Sequence, residues 1–555
     1  MGQGGHGGAV LAGLLAEHGV RHVFGVPGGQ TLALYDGILD RPAELAHVLV
    51  RDERSAAYAA DGYARVTGRV GVCDATVGPG AAKLPSGLGE SLGGSVPVIA
   101  LVSELPARMA VHRYRSAASQ ALDQAALLAP VTKWLASVPD LESMPGLVRR
   151  AFREATSGRP GPAALLLPQD VLDSAAGPCP PRAASARFGA FPAFRPAPEP
   201  ADVAAAAAVL RRAARPFLLA GGGVMHSQAG PALTALAERL SAAVGTTLTG
   251  KGAIGEGHPL SVGVVGTMGT AAAAAALAEA DVVLLAGAKS SSGATYGWTL
   301  PRAGQAVVQL DVDPAELGRA FDPAAVLLGD ARAGLAALLA ELGTGTGPDR
   351  GAWRARVAGL AAQWRAARDR ERGSDAVPIA PQRVLGELET ALGAGDCLIC
   401  DASLASGWGG AYFEQRSPGR RVLCPRGLAG LGYGVPAAIG AAIGRAAAAA
   451  GSGRTVVLTG DGALGYAVGE LATVTQLRLP VTVVVLNNRS LGWIRWYRRI
   501  TFGRGWEDED FADVAYAEVA RGFGMLGVRV TQPGQLGPAL ASALRSDRPA
   551  LVDVV

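Results

Sequence analysis

Short apolar runs alternate with alanine-rich, helix-forming stretches along most of the chain, and the alternation occurs in three successive blocks. Continuous apolar runs are typical of strands that are buried on both faces of a parallel sheet. The stretches between them provide the crossover helices that parallel strands require. The pattern therefore predicts an α/β protein with three doubly wound parallel-sheet domains.

Two connecting segments separate the three blocks. The first, residues 173–202, is rich in proline, alanine and arginine, and its prolines exclude a long helix or a central strand. The second begins at 343–348 and leads into a predicted amphipathic helix over 353–372. We therefore expect domains at residues 1–172, 203–342 and 378–555.

Polar side chains follow two neighbouring apolar runs of the third block. A Gly-Asp-Gly turn centred on Asp461 comes after 455–459, and Asn488 follows the run 481–486. A helix predicted between them makes the two strands parallel, so both release their ligands at one edge of the sheet. The Asp461 carboxylate, the Asn488 amide and the carbonyl of Ser490 form an oxygen set suited to Mg²⁺ beside phosphate. The alternative is that these groups only cap helices.

Composition limits the classes of function. A chain of 555 residues is too long for one core. A net charge of +4 with 18% charged residues gives no nucleic-acid footprint. Hydrophobic content is high, but the alanine-rich runs are interrupted by charges and do not reach the roughly 18 strongly apolar residues of a membrane span. We expect neither nucleic acid nor membrane as a partner.

Cysteine usage and the amino terminus bear on the compartment. Residues 1–8 have no apolar core of a signal peptide. The five cysteines are scattered, which indicates a reducing cytoplasm. Cys397 and Cys400 form a CxxC pattern, but they lie in a predicted strand and have no second pair. We therefore predict a cytoplasmic protein in which these two thiols are buried and structural.

A Gly221-Gly222-Gly223 turn follows a predicted strand in the central block. Such a turn hints at dinucleotide binding, but the full GxGxxG pattern and the ribose-binding acid are missing. A nicotinamide-dependent dehydrogenase is therefore a weak alternative, which titration with NAD would test.

Several motifs of the first and third blocks carry a family resemblance. They occur at 23–29, 49–57, 60–65, 78–80, 427–440 and 460–488. Together they resemble the thiamin-diphosphate (ThDP) enzymes of the acetolactate synthase, pyruvate oxidase and benzaldehyde lyase superfamily, from about residue 8 to the C-terminus. The resemblance implies a pyrimidine-binding, a central and a diphosphate-binding domain in that order, with ThDP and Mg²⁺ as cofactors.

The resemblance also implies roles around the aminopyrimidine. Glu53 would hydrogen-bond to N1′ and drive the tautomer change that makes the 4′-amino group a base. Its apolar surroundings are expected to let it share a proton; alone, it would be interpreted as an acid at a helix start. The carbonyl of Ala429 would accept from N4′, and Leu431 would be the apolar wedge that bends the cofactor. Without the resemblance, Leu431 would be a core residue.

Backbone N–H groups around 402–404 and 463–464 are implied to hold the diphosphate. In the family one subunit supplies the glutamate and its neighbour the diphosphate site, so we expect a homodimer or homotetramer with shared active sites. The full set of expected cofactor-binding residues is Gly28, Gly29, Glu53, Thr76, Pro79, Ala402, Ser403, Leu404, Ala429, Leu431, Gly460, Asp461, Gly462, Ala463, Leu464, Asn488, Ser490, Leu491 and Gly492.

Gln30 and Gln120 are the candidates for the substrate side of catalysis. Gln30 follows the Gly28-Gly29 turn, where relatives place a polar residue, and Gln120 resembles part of a synthase Phe-Gln pair. Exposed loop amides are the alternative for both.

The sequence departs from the synthase pattern at several positions. Lys83 stands where asparagine is expected, and Gln169 where lysine is usual. The residues after Asn488 also diverge, so that Trp493, Arg495, Trp496 and Tyr497 form either an acceptor pocket or a lid helix. Residues 287–292 replace the run associated with FAD, so we expect a central domain without nucleotide, and FAD binding is the lesser alternative.

The expected function is ThDP- and Mg²⁺-dependent decarboxylation of a 2-oxo acid, with pyruvate as the expected donor. The acyl carbanion equivalent would then pass to a carbonyl acceptor. A benzaldehyde lyase-like 2-hydroxy ketone lyase is the nearest alternative, and release of CO₂ would separate the two. A catalytically inactive ThDP-binding partner subunit is the third, although retention of Glu53, Asp461 and Asn488 argues against it.

Overall fold

The computed structural model describes residues 5–113, 117–176, 186–343, 348–447, 453–505 and 507–555. Three parallel six-stranded sheets with flanking helices confirm the predicted α/β class. Cys179, residues 1–4 and parts of both predicted linkers (177–185 and 344–347) lie outside the described residues.

The N-terminal sheet has the strand order β2-β1-β3-β4-β6-β5, and its pairs are parallel. Its strands are β1 (His22–Gly25), β2 (Ala46–Leu49), β3 (Gly71–Ala75), β4 (Val98–Glu104), β5 (Trp134–Ser137) and β6 (Ala163–Pro168). The accompanying helices are α1 (Gly7–Glu17), α2 (Leu32–Leu39), α3 (Glu53–Thr67), α4 (Pro79–Gly94), α5 (Gln124–Leu128), α6 (Met144–Thr156) and α7 (Gln169–Leu172).

The central sheet has the order β12-β11-β10-β7-β8-β9. Its strands are β7 (Pro216–Ala220), β8 (Ala243–Thr246), β9 (Ser261–Val264), β10 (Val282–Ala286), β11 (Ala306–Asp311) and β12 (Ala325–Leu328). The helices are α8 (Pro200–Arg212), α9 (Gly222–His226), α10 (Gly230–Leu240), α11 (Ala271–Glu279), α12 (Ala331–Leu342) and α13 (Gly351–Arg372). Helix α13 is the amphipathic helix predicted over 353–372.

The C-terminal sheet has the order β14-β13-β15-β16-β18-β17. Its strands are β13 (Cys397–Cys400), β14 (Val422–Leu423), β15 (Thr455–Gly460), β16 (Val481–Leu486), β17 (Leu526–Val530) and β18 (Ala550–Val554). The helices are α14 (Pro381–Ala391), α15 (Leu404–Tyr412), α16 (Gly434–Ala447), α17 (Asp461–Gly465), α18 (Glu470–Gln476), α19 (Gly492–Phe502), α20 (Tyr516–Gly522) and α21 (Pro533–Arg545). Helix α18 is the crossover that was predicted between the Asp461 and Asn488 strands.

The chain forms two compact units. The first comprises 1–194 with the inserted segments 425–452 and 464–481, and the second comprises 195–424, 453–463 and 482–555. The first unit therefore holds the N-terminal sheet with helices α16 and α18. The second holds the central and C-terminal sheets.

Helices α3 and α16 pack closely within the first unit through small residues. A Cβ atom at Gly440 would lie 1.8 Å from the carbonyl oxygen of Ala59, and one at Gly62 would lie 2.3 Å from that of Ala437. Glycine at these two positions lets the helix backbones touch, so the 425–452 segment is fixed against α3.

Packing accounts for glycine at two positions of the 221–223 turn in the central domain. A Cβ atom at Gly221 would lie 2.1 Å from the carbonyl oxygen of Gly287, and one at Gly223 would lie 2.8 Å from the Gly287 Cα atom. Backbone contact between neighbouring strand ends therefore explains this turn, and the expectation of a central domain without nucleotide stays a prediction.

Cys397 and Cys400 lie buried in β13, as predicted. A hydrogen bond with Cys424, together with burial, raises the pKa of the Cys400 thiol. A protonated, buried thiol is unreactive, which fits a structural role. None of the helices within the described ranges is both long and apolar enough to cross a bilayer.

Candidate active site

The N-terminal and C-terminal sheets share one strand order. In each sheet the strand order reverses between two neighbouring strands, β1 and β3 in the N-terminal sheet and β13 and β15 in the C-terminal sheet. Ligands of open α/β sheets bind at the carboxyl ends of the strands at such a switch point. Predicted site residues follow strand ends in both sheets.

Glu53 is the first residue of α3 and follows β2. Asp52 caps this helix by accepting the Arg54 N–H at 2.9 Å. The Glu53 side chain is buried against α4, since a Cβ atom at Gly80 would lie 2.9 Å from Glu53 Oε1. Glu53 therefore begins a helix and is also buried, so the two interpretations of this residue do not exclude each other.

The Gly28 turn and the end of β3 are in contact. Thr76 Oγ1 donates to Gln30 Oε1 at 3.1 Å, and a Cβ atom at Gly28 would lie 2.2 Å from Thr76 Oγ1. Nothing lies within 4 Å of a Cβ placed at Gly29, so this turn is open. Gln30, Thr76 and Gly28 therefore gather at the predicted place, whereas their roles toward a substrate stay a prediction.

Gln120 meets the same group through its backbone. A Cβ atom at Gly78, just before Pro79 at the start of α4, would lie 2.2 Å from the Gln120 carbonyl oxygen. Gly78 has a φ of +69° and Gln120 one of +64°. The Gly78 N–H donates to Gln124 Oε1 at 2.9 Å, which anchors the turn. The buried Gln124 was missed by sequence reasoning, although it lies near Gln120.

The surroundings of Glu53 differ from the apolar setting that was predicted. Lys83 Nζ lies 3.1 Å from Glu53 Oε2 and 3.4 Å from Asp52 Oδ2. Partial burial acts to lower the pKa of Lys83, but the hydrogen bonds and charges of the two acids outweigh it and raise that pKa. The departure from the family at position 83 therefore concerns the surroundings of Glu53 itself.

A second polar cluster lies behind the turn. The Tyr35 hydroxyl donates to Asp74 Oδ2 at 2.8 Å and lies 3.0 Å from His47 Nε2. Burial raises the pKa of Asp74, the hydrogen bonds of His47 and Tyr35 lower it, and the charge of Glu53 raises it. Gly25 is required there, because a Cβ atom would lie 1.7 Å from Asp74 Oδ1.

The loop predicted to hold the pyrimidine is fixed by a buried carboxylate. Glu90 of α4 accepts the backbone N–H groups of Arg426, Gly427 and Ala429 at 2.8–3.0 Å, and Arg65 Nη2 lies 3.3 Å away. Ala429 has a φ of +54°. The position of Ala429, and with it the path toward Leu431, therefore depends on Glu90. Sequence reasoning missed Glu90, and its small neighbours Gly89 and Ser91 were the available signal of burial.

Arg65 connects this loop to helix α3. Its guanidinium donates to Asp61 at 2.6 Å, and Asp61 also accepts the Tyr433 hydroxyl at 2.8 Å and the Ser91 hydroxyl at 3.0 Å. Glu53 and the 425–431 segment are thus joined to one helix within one unit.

The second unit carries the predicted metal ligands. Asp461 Oδ1 accepts the Gly462 N–H at 2.8 Å, whereas Asp461 Oδ2 is buried without a hydrogen bond. Burial raises the pKa of Asp461, and backbone N–H groups of Gly462, Arg489 and Ser490 lower it. Arg489 and Ser490 follow β16, so the Asp461 carboxylate lies near the turn after that strand.

The two asparagines of that turn have different tasks. Asn487 is buried and donates to Asp553 Oδ1 at 2.9 Å, which ties the turn to β18. Asn488 is exposed, and its Oδ1 accepts the Ser490 N–H at 3.3 Å. A Cβ atom at Gly492 would lie 2.7 Å from Asn488 Nδ2, so glycine there leaves room for the amide.

The remaining diphosphate-site residues begin helices. Ser403 precedes α15 with a φ of +64°, beside Ala402 and Leu404. Asp461 begins α17, in which Ala463 and Leu464 are buried, and Gly460 faces open space. A Cβ atom at Gly462 would contact Phe511 at 3.0 Å and Leu491 at 3.3 Å. Helix N-termini with free N–H groups suit a diphosphate.

Helix α19 follows this turn and carries an aromatic, basic surface. Trp496, Tyr497 and Ile500 are about half exposed, and Trp493 stacks on Tyr497 with centroids 6.4 Å apart. Arg495 pairs with Asp510 at 3.0 Å. The pocket and lid alternatives for this helix both stay predictions.

Comparison with known proteins agrees with these groupings. The family models for the N-terminal TPP binding, central and C-terminal TPP binding domains of thiamine pyrophosphate enzymes match residues 5–127, 203–338 and 401–554. A probable acetolactate synthase large subunit of Methanocaldococcus jannaschii is 34% identical, with 99% of this chain and 91% of the relative covered. The chain belongs to the acetolactate synthase-like thiamine pyrophosphate enzymes.

Two further relatives show the breadth of this family. The acetolactate synthase isozyme 2 large subunit of Escherichia coli is 33% identical, with 97% of this chain and 93% of the relative covered. A probable 2-ketoarginine decarboxylase of Pseudomonas aeruginosa is 36% identical, with 88% of this chain and 83% of the relative covered. The recognition of a ThDP-dependent enzyme that forms C–C bonds is confirmed, and the substrates are not fixed by it.

The residues present fit the cofactor. Asp461 Oδ2 is an orphaned buried acceptor next to a turn with amide and carbonyl oxygens, which is the donor chemistry that Mg²⁺ prefers. Within the described part of the chain no group of three or more His, Cys, Asp or Glu could hold a metal. A magnesium ion at Asp461 and Asn488 would therefore need diphosphate oxygens to complete its shell.

Proposed function

We propose that this enzyme uses ThDP and Mg²⁺ to decarboxylate pyruvate and to transfer the acyl carbanion equivalent to a carbonyl acceptor. When bound, ThDP would supply an acidic thiazolium C–H group as the source of a carbon nucleophile, and a cationic ring that takes up the electron pair left by loss of CO₂. The observation that carries the proposal is Glu53, a buried acid at the start of α3 that packs against Gly80 of α4.

The chain's own residues would divide the work. Glu53 would exchange a proton with pyrimidine N1′, the Ala429 carbonyl would accept from N4′, and Leu431 would support the cofactor. Asp461, Asn488 and the Ser490 carbonyl would hold Mg²⁺ against the diphosphate. Gln30 and Gln120 would contact the substrate.

The first experiment measures CO₂ release from pyruvate, 2-oxobutanoate and 2-ketoarginine, with and without a second carbonyl compound. Pyruvate is expected to react, and 2-ketoarginine is included because of the 36%-identical relative. Glu53→Gln should lower turnover by about 10²-fold or more, while ThDP still binds in calorimetry. Glu142→Gln, an exposed acid, is the control.

Each result is informative. Unchanged turnover of Glu53→Gln refutes the role of Glu53. Cleavage of 2-hydroxy ketones without CO₂ release from any 2-oxo acid supports the lyase alternative. ThDP binding without either reaction supports an inactive partner subunit.

We also propose that the active sites are shared between two subunits of a homodimer, as the resemblance implies. Inactive Glu53→Gln and Asp461→Asn proteins are mixed after mild dissociation. A shared site predicts hybrids with one intact site, and random pairing then restores about a quarter of the wild-type activity. No recovery in proven hybrids would contradict shared sites.

A further inference from the structure

We propose that Lys83 is a positioning residue that keeps the buried Glu53 carboxylate ionised in the cofactor-free enzyme, so that ThDP binding must bring a proton to this pair. The inference rests on the proposed role of Glu53 at pyrimidine N1′. Its basis is the ion pair in which Lys83 Nζ lies 3.1 Å from Glu53 Oε2.

Lys83 lies at the protein surface, and its ammonium group contacts the buried Glu53 carboxylate. Its side chain is 48% exposed, whereas that of Glu53 is 6% exposed. Helix α4 thus provides both space and charge for Glu53, because Gly80 leaves room for Oε1 and Lys83 neutralises Oε2. An ionised buried carboxylate without a cation partner is strongly unfavourable.

The other groups around Glu53 divide into two sets. The N-terminus of α3 favours a negative charge at its first residue. Asp52, which caps this helix, and Asp74 of β3 oppose it; burial raises the pKa of Asp74, and the charge of Glu53 raises it further. Arg54 Nε lies 3.8 Å from Asp52 Oδ1 and His47 Nε2 lies 3.7 Å from Asp74 Oδ1. Lys83 pairs with Glu53 itself.

A proton count follows from this arrangement. A hydrogen bond between Glu53 and N1′ needs one proton, and an ionised carboxylate and a neutral ring nitrogen have none to share. The proton then comes from solvent and is taken up on binding. Without Lys83, the buried carboxylate loses the cation that pairs with it at 3.1 Å, and burial of a carboxyl group without a cation disfavours its charged form. Uptake should then fall.

Calorimetric titration of ThDP at saturating Mg²⁺, in buffers of different ionisation enthalpy at one pH, measures this uptake. Lys83→Met and the polar Lys83→Gln are each expected to lower it by about half a proton or more relative to wild type. Lys83→Arg should retain it, since the charge remains. Lys133→Met is the control. It removes an exposed lysine whose ammonium group donates to the carbonyls of Glu154 and Ser157.

A Glu53→Gln background isolates the pair. Glutamine donates its own N–H to N1′, so Glu53→Gln and the double variant with Lys83→Met should take up equal numbers of protons. Contributions of the diphosphate cancel in these differences.

Equal uptake by wild type, Lys83→Met and Lys83→Gln would overturn the proposal. So would a Lys83 effect that persists in the Glu53→Gln background, or loss of folding in both Lys83 variants, which a half-exposed positioning residue should not cause. By contrast, absence of ThDP binding to wild type, or undiminished uptake by Glu53→Gln with Lys83 intact, would refute the proposed function of Glu53 itself.

Discussion

Replacement of Glu90 by glutamine tests how the 425–431 segment is held. In the wild type, Glu90 Oε1 accepts from Arg426 and Gly427, and Oε2 accepts from Gly427 and Ala429. A glutamine of the same size offers one oxygen, and its NH₂ group would face backbone N–H donors at the other position. Charged hydrogen bonds contribute about 1.5–3 kcal/mol each, so we expect a loss of about 3–5 kcal/mol, as for a broken buried ion pair.

Hydrogen exchange with mass spectrometry measures this loss locally. Exchange of the amides at 426, 427 and 429 should accelerate by about 10²-fold or more, since every 1.4 kcal/mol is tenfold. Amides of β6 should keep their protection, and Glu142→Gln should leave both regions unchanged. We also expect weaker ThDP binding, because Ala429 loses its anchor. Unaltered exchange of these three amides in Glu90→Gln would refute the reasoning.

Three further predictions concern the metal turn and the helix packing. Asp461→Asn should raise the Tm of the metal-free protein near pH 7 and abolish stabilisation by Mg²⁺ with ThDP. Burial raises the folded-state pKa of Asp461. The stabilisation that this shift provides is therefore complete below about pH 4, the pKa of aspartate in the unfolded chain, and is lost as the pH rises. The gain in Tm of Asp461→Asn over wild type should accordingly vanish at acid pH. Gly492→Ala places a Cβ 2.7 Å from Asn488 Nδ2 and should weaken Mg²⁺-dependent ThDP binding about tenfold in calorimetry. Gly440→Ala, whose Cβ would lie 1.8 Å from the Ala59 carbonyl, should cost about 1–3 kcal/mol or more in chemical denaturation.

Controls for these variants come from glycines with free space. Nothing lies within 4 Å of a Cβ at Gly359 of α13 or Gly146 of α6. Alanine at either position should leave the denaturation midpoint equal or raised. A Tm of Asp461→Asn below wild type at neutral pH, unchanged cofactor binding by Gly492→Ala, or a neutral Gly440→Ala would each contradict its prediction.

The sequence was informative wherever local pattern determines structure. Continuous apolar runs predicted β15 and β16, the crossover helix between them was found at α18, and Thr76 and Gln30 meet at the predicted turn. These features depend on period and strand ends, which are visible along the chain.

Contacts between distant residues were beyond such reasoning. The Lys83–Glu53 ion pair and the hydrogen bond from the Gly427 N–H to Glu90 join residues that are distant in sequence or lie on different elements. Gln124 and Asp74 were missed for the same reason, since a buried polar residue shows its partner only in three dimensions. The predicted apolar setting of Glu53 did not include the lysine that α4 brings to it.

Helix α19 leaves every one of its side chains at least partly accessible in the single chain, although it directly follows the Asn488 turn. Surface substitutions away from buried contacts usually change folding free energy by no more than about 0.5 kcal/mol. Randomising the outward positions of this helix should therefore leave the fold of the single chain intact, and a change in reactant preference among the variants would favour the acceptor-pocket alternative. The residues that the fold of the single chain needs are thus buried outside this helix, whereas the side chains of α19 can vary with little effect on that fold.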